Sequence, residues 1–183
     1  LENLGIDLNK KIALIFLRDD FYFKKILKFT SQAANISSKN PDINTYIKSV
    51  NLLINRGYQV IRIGKLSQKK LKIKNKYFFD ITNSFHNNDS LQTYLISKSK
   101  FLICSNSGLS YVSSFIFRKP CLITNHIPHG HFHIETKLIT INFKKVFCKK
   151  KKRFLKLSEI FDRNLFYDVR GSNYKKSNCK IVD

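Results

Sequence analysis

Two short polar segments carry the residue types that hold anions. Arg18-Asp19-Asp20 follows directly on the apolar run Lys11–Leu17, and Ser105-Asn106-Ser107-Gly108 follows on Phe101–Cys104. The second segment is small, hydroxylated and glycine-containing, and it opens a helical pattern. Free backbone N–H groups and the helix dipole at such a point attract a phosphate oxygen. Ser105 and Ser107 add hydroxyl donors, Gly108 admits close backbone approach, and Arg18 is a forked cation suited to gripping a diphosphate from an opposite wall. The same residues also read as a capped helix and a surface Arg–Asp pair with no ligand. Asp80 and Asp89 are candidates for contacts to ribose or sugar hydroxyls, or equally a strand-end turn residue and a helix N-cap. Arg62 points either into the same crevice or along its rim. Gly64, Asn125 and His126 end neighbouring apolar runs and complete the candidate set.

Other chemistries find little support. His126, His129, His131 and His133 crowd one short loop with Pro128 and Gly130. Their spacing matches no zinc site, and Glu135 is the single carboxylate near them. They read instead as a loop facing the crevice or solvent, with His126 or His129 placed to touch a phosphate or sugar. There is no nucleophile–base pair, no G-x-G-x-x-G and no G-K-[ST]. Cys104, Cys121, Cys148 and Cys179 form no C-x-x-C pair, and Cys104 and Cys121 sit in apolar runs as small buried hydrophobes. No cofactor or metal is expected.

The elements that must position these segments alternate strand and helix, the pattern of an α/β domain with a parallel sheet. Lys11–Leu17 is the first expected strand. Asn40-Pro41-Asp42 reads as an N-cap with proline in the first turn, leading a helix through Ile43, Ile47, Val50 and Ile54 to a left-handed Gly57. Tyr58–Ile63 is the second strand, closed by Gly64, and Lys65–Lys76 is a basic connector. Tyr77–Ile81 is the third strand, and Asp89 caps a helix bearing Leu91, Leu95 and Ile96. Phe101–Cys104, a helix from Leu109 to Phe117, and Cys121–Asn125 follow. Beyond Thr136 the pattern weakens: a strand over Lys137–Phe143, a solvated Lys149–Lys152 loop, a short helix capped by Ser158, and a terminal strand at Lys180–Asp183. A single Rossmann-like domain over 1–183 is expected, irregular from about 137. For the order 3-2-1-4-5, ligands bind between the first and fourth strands, where the Arg18 and Ser105–Gly108 segments emerge.

Length and composition set the outer bounds. The 183 residues suit one domain with a sizeable core. The formal charge of +22 invites a nucleic-acid reading. However, the cations are 27 Lys against 7 Arg, beside 22 Ile, 17 Asn and 3 Ala. That is the bias of AT-rich codons, and arginine, the better reader of phosphates and guanines, is the scarce residue. A nucleic-acid partner is therefore disfavoured, whereas a basic face suits peripheral contact with an anionic membrane. No stretch reaches the 18 apolar residues of a membrane span, and no secretory leader is visible. The expected setting is a reducing cytoplasm, peripheral to an inner membrane. The chain contains no methionine, which implies a piece of something longer.

The succession IFLRDDFYF, NPDINTYIKSVNLLINRGYQVIRIG, YFFDITNS, LQTYLISKSKFLICSNSGLS and RKPCLITN resembles a bacterial glycosyltransferase family of surface-polysaccharide gene clusters. The later KLITINFKKVFCKKKKRFLKLSEIFDR resembles that family's tail, so the likeness runs from about Leu4 to Arg163. The family is similar to GT-B enzymes and, in its Arg-Asp and Ser-Gly segments, to fucosyltransferase-like proteins. The resemblance implies that this chain is the C-terminal, donor-binding half. It implies Arg18 on the donor diphosphate, as catalytic residue, and Ser105, Asn106, Ser107 and Gly108 on the same phosphates. Asn40, Asp42, Arg62, Gly64, Asp80 and Asp89 match other recurring polar positions. The implied partners are a nucleotide-sugar donor, a glycan or lipid-linked acceptor and a missing N-terminal domain, with no bound metal. The chain departs from the family at Phe16, where a histidine is usual, and near Asn87 and Gln92, where an arginine and an acid are usual. Those departures suit the alternative reading, a degenerate, non-catalytic nucleotide or glycan-phosphate binding domain.

Overall fold

The computed structural model describes residues 4–19, 21, 25, 39–67, 69–105, 107–127, 137–168 and 172–182. Its main body is a six-stranded parallel sheet made of β1 (Lys11–Phe16), β2 (Tyr58–Ile63), β3 (Phe78–Asp80), β4 (Phe101–Ser105), β5 (Cys121–His126) and β6 (Ile139–Phe143). The strand order is β3-β2-β1-β4-β5-β6, and every neighbouring pair runs parallel. This is the expected doubly wound arrangement, extended by one strand, with its switch point between β1 and β4.

Both faces of this sheet are covered, which explains why its strands read as continuous apolar runs. On β1, Ile12 and Leu14 join one core with Ile61, Ile63, Leu95, Ile96, Leu102 and Ile123. Ala13 and Ile15 point the other way, into a second core with Ile43, Tyr46, Val50, Ile54 and Val60. Helix α1 (Ile47–Asn55), led by a 3₁₀ turn over Ile43–Tyr46, supplies the second core. Its N-terminal cap is Asp42, whose side chain accepts from the Asn44 N–H at 3.0 Å. Asp42 itself has extended angles, φ −73° and ψ 109°, so the helical turn begins after it and the cap lies two residues beyond the expected Asn40. Gly57 ends α1 with φ +82°, as its position suggested.

Helix α2 (Asp89–Lys98) covers the first core, and its cap is Asn88, accepting from Leu91 N–H at 2.8 Å. Asp89 therefore begins the helix and does not cap it. After β4 the chain makes one α turn, α3 (Leu109–Tyr111), which widens into a π turn over Val112–Ile116. Cys104 and Cys121 are buried between β4 and β5 with their sulfurs 3.6 Å apart.

The region expected to be irregular is built as a small antiparallel sheet. Strands β7 (Lys145–Cys148), β8 (Arg153–Phe154) and β9 (Cys179–Val182) are ordered β8-β7-β9. With α4 (Leu157–Asp162) and α5 (Ser172–Lys176) they enclose a third core of Ile127, Val146, Cys148, Leu155, Ile160, Leu165, Tyr174 and Cys179. Lys149–Lys152 is the exposed turn of the β7–β8 hairpin. Glu159, not Ser158, closes the start of α4: its carboxylate accepts from Lys156 N–H at 3.0 Å and from Arg153 at 2.8 and 2.9 Å. These donors, Arg153 foremost, hold the Glu159 carboxyl far below the usual carboxylate range. No described helix is long and apolar enough to cross a membrane.

Candidate functional site

The register of the sheet sets the frame. Phe16 is level with Ile63 on one side and Cys104 on the other, so Leu17-Arg18, Gly64 and Ser105 leave the sheet side by side. The first two polar segments are joined there directly: Ser105 Oγ accepts the Arg18 backbone N–H at 2.8 Å. A cleft of about 260 Å³ opens above this junction. Phe16, Leu17, Ile63 and Leu109 line it with apolar surface, and Arg18, Asp19, Lys65, Ser67, Thr82, Asp89, Gln92 and Ser107 bring polar groups.

Arg18 and Ser107, 89 positions apart in the chain, thus face one cavity. Ser107 also organises the turn, since its hydroxyl accepts Leu109 N–H at 3.2 Å and its carbonyl accepts from Ser110 Oγ at 2.7 Å. Gly108 has ordinary helical angles, φ −60° and ψ −20°. Nothing lies within 4 Å of where a side chain would begin there, so glycine leaves free space at the mouth of the turn. Lys39 does not line the cleft, yet it lies near enough to Arg18 to feel its charge. Burial, with the Arg18 charge as second cause, holds its ammonium below the ordinary lysine range. Two cations that repel each other favour an anion between them.

Beneath the cleft runs a chain of buried polar contacts. Arg62 is fully buried. One guanidinium nitrogen donates to Asp80 Oδ2 at 3.0 Å and to Lys69 O at 2.6 Å; the other donates to Ser67 Oγ at 2.6 Å. Ser67 Oγ in turn reaches Asp19 Oδ2 at 2.6 Å, while Asp80 Oδ1 accepts from Thr82 N–H at 3.2 Å and Oγ1 at 2.6 Å. The ends of β1, β2 and β3 are therefore tied through one buried cation. Removing it takes a donor from Asp80 Oδ2, Lys69 O and Ser67 Oγ, at a cost of about 3 kcal/mol.

Gly64 has φ +123°, a backbone region that disfavours any side chain, and a Cβ there would lie 3.0 Å from the Phe16 ring. Asn87 locks the adjoining loops by donating to Gly64 O at 2.7 Å and Thr82 O at 3.3 Å. At the mouth, Lys65 and Asp89 pair at 2.8 Å with the Asp89 side chain 82% exposed.

Of the residues expected from sequence, Arg18, Asp19, Gly64, Asp89 and Ser107 line the cleft, and Ser105 is buried at its seam. Arg62 and Asp80 form its support. Asn125 and His126 lie at the end of β5 and do not line the cleft: Asn125 donates to Tyr46 Oη at 3.0 Å, and His126 is buried edge-on to Phe143. Asn106, Asp20, His129, His131 and His133 fall outside the described residues. Sequence reasoning missed Lys39, Lys65, Ser67, Thr82 and Gln92. Ser67 was hidden in a lysine-rich connector. Gln92 did leave a trace, since it shares a helix face with Leu95 and Ile96, three and four positions on, and all three are buried.

No family model matches the sequence, and no curated protein matches it significantly. Solved structures do resemble it. The E. coli ADP-heptose LPS heptosyltransferase II aligns with 78% of this chain and 41% of its own, at TM-score 0.56 and 14% identity. E. coli heptosyltransferase WaaC with ADP-2-deoxy-2-fluoro heptose aligns over 95% of this chain and 45% of its own, at TM-score 0.46 and 13% identity. The wall teichoic acid polymerase TagF aligns over 67% and 27%, at TM-score 0.41 and 17% identity. The likeness to heptosyltransferase II, with the six-stranded parallel sheet, establishes an α/β Rossmann-like fold. The chain spans about two fifths of that enzyme's length.

Proposed function

We propose that this chain is the donor-binding half of a GT-B glycosyltransferase, holding a nucleoside diphosphate sugar whose sugar passes to a glycan or lipid-linked acceptor. The observation that carries the reading is the meeting of Arg18 and Ser107 across one cleft at the switch point of a parallel sheet. The fold it shares with heptosyltransferase II, whose own substrate is ADP-heptose, supports the same reading.

The chemistry follows from charge. As the bond between the sugar's anomeric carbon and the diphosphate oxygen breaks, negative charge develops on the departing diphosphate. Arg18 and the Ser107 hydroxyl face the cleft and would stabilise that charge. The acceptor hydroxyl attacks the anomeric carbon and loses its proton to a base that this reading assigns to the other half of a GT-B fold. Asp89 and Thr82 offer acceptors and a hydroxyl to the donor's ribose or sugar. The exposed Lys149–Lys152 turn, with Leu157 and Phe161 exposed nearby on α4, suits peripheral contact with an anionic membrane.

The test is transfer by the full-length protein. Incubated with radiolabelled UDP-, GDP- and ADP-sugars and membrane extract as acceptor source, it is expected to release one nucleoside diphosphate and label a glycan. A full-length protein that binds a nucleoside diphosphate yet turns over none of these donors favours the non-catalytic alternative.

A further inference from the structure

Gln92 sits in the fourth position of α2, with its residue 5% exposed. It lines the cleft, and its Nε2 has no hydrogen-bond partner among the described residues. Around it are Leu95 and Ile96 on its own helix face, and Phe16, Ile63 and Leu109 on the cleft wall. A carboxamide donor removed from water in such surroundings is destabilising until something accepts from it.

Neighbouring amides behave differently. Asn83 donates to Ser67 O at 2.7 Å, and Asn87 donates to Gly64 O and Thr82 O. Those side chains hold loops in place, whereas the Gln92 Nε2 donates to no group among the described residues. Its wall also differs electrically from the Arg18 wall. There, Lys65 and Asp89 neutralise each other at 2.8 Å, so α2 presents dipoles and no net charge. A wall of that kind suits an uncharged polar part of a ligand whose phosphates lie elsewhere.

We propose that Gln92 is a specificity-determining residue of the cleft, its carboxamide hydrogen-bonding to a neutral polar group of the donor: a base edge or a sugar hydroxyl. The proposal rests on the donor-binding reading and adds to it the residue that discriminates among donors. A carboxamide both donates and accepts, so it matches either group, and a ligand lacking the matching group leaves the amide unpaired.

The experiment compares this chain with Gln92→Met, which keeps length and removes both polar atoms, and Gln92→Glu, which keeps shape and loses the donor. Each is titrated calorimetrically with inorganic diphosphate, with UDP, GDP and ADP, and with the corresponding nucleotide sugars. The expected result is about tenfold weaker binding of the preferred nucleotide or nucleotide sugar in both variants, with inorganic diphosphate unchanged. Loss with nucleotides identifies a base or ribose contact; loss confined to nucleotide sugars identifies the sugar. The melting temperature of Gln92→Met is expected to equal or exceed that of the parent, because the unpaired donor is gone. A lowered melting temperature with unchanged affinities assigns Gln92 to packing and overturns the proposal. So does an equal loss for inorganic diphosphate. A parent chain that binds neither nucleotide nor diphosphate overturns the donor-binding reading itself, a result distinct from unchanged affinity in the variants.

Discussion

Replacing Arg18 by alanine isolates the side chain from the seam it sits on. The bond joining β1 to β4 is made by the Arg18 main-chain N–H to Ser105 Oγ, so it survives truncation, and the fold is expected to keep its melting temperature. What is lost is a forked cation facing the cavity. Two charge-assisted hydrogen bonds to a diphosphate contribute about 1.5–3 kcal/mol each in a desolvated site. The cleft is open to solvent, so a total of about 2–3 kcal/mol is the appropriate figure. That converts to roughly 30- to 150-fold weaker diphosphate binding at 1.4 kcal/mol per decade. Calorimetric titration at low ionic strength reads this directly. Arg18→Lys separates charge from geometry: it keeps the cation, loses the fork and falls between the parent and the alanine variant. If Arg18→Ala binds diphosphate within twofold of the parent at an unchanged melting temperature, the guanidinium does not hold the anion and the phosphate assignment is wrong.

Three further outcomes follow from the same geometry. Gly64→Ala forces a side chain into φ +123° and to within 3.0 Å of the Phe16 ring, so denaturant unfolding should show a loss of about 2–4 kcal/mol. Gly108→Ala meets no neighbour and keeps helical angles; stability should hold or rise by about 0.5 kcal/mol while diphosphate affinity falls at least about tenfold if phosphate occupies that space. Equal affinity for parent and Gly108→Ala would place the ligand elsewhere. Lys39 is held below its ordinary pKa by burial and by Arg18, and an anion favours its protonated form. Diphosphate affinity should therefore fall as pH rises through the depressed value, below 10.5, and Lys39→Gln should flatten that limb. For folding the sign is opposite: the charged ammonium is the destabilised form, so stability rises over the same interval.

The strand–helix alternation was legible because the inner strands β1, β2, β4 and β5 are covered on both faces and the helices on one, so burial writes itself into runs and stripes. Tyr58–Ile63 and Cys121–His126 show this, the second running one residue past its expected end. The meeting of Arg18 with Ser107 was legible too, because doubly wound topology brings the first and fourth strand ends together. Cap positions were less legible. Asn88 and Asp42 do the capping, each one or two residues from the expected place, since several adjacent side chains were chemically competent. Of the small sheet, β9 was legible as a terminal strand, one residue from its expected place, whereas β7 and β8 escaped because they are four and two residues long, too short for an alternation to register. The orientation of Arg62 was undecidable from sequence, because the strand's alternation allows either face and the deciding partners, Ser67 and Asp80, are 5 and 18 positions away.

The two walls of the cleft depend on different kinds of order. The Arg18 wall is held by backbone: one main-chain bond to Ser105 and the turn around Ser107 fix it to adjacent central strands. The opposite wall comes from loops after β2 and β3, which have few strand bonds of their own, and its positions depend on the buried Arg62 and on Asn87. Arg62 draws Ser67 and, through it, Asp19 toward β2, so the same cation that stiffens the loop wall also fixes the residue next to Arg18. Disturbing Arg62 should therefore loosen both walls at once, whereas disturbing Gln92 or Arg18 alters one. A lysine at position 62 keeps charge but reaches fewer of the three acceptors the fork now serves, so that change is not conservative here. The fold spends its rigidity on the floor of the cavity, while Gln92 on α2 keeps a donor unused among the described residues.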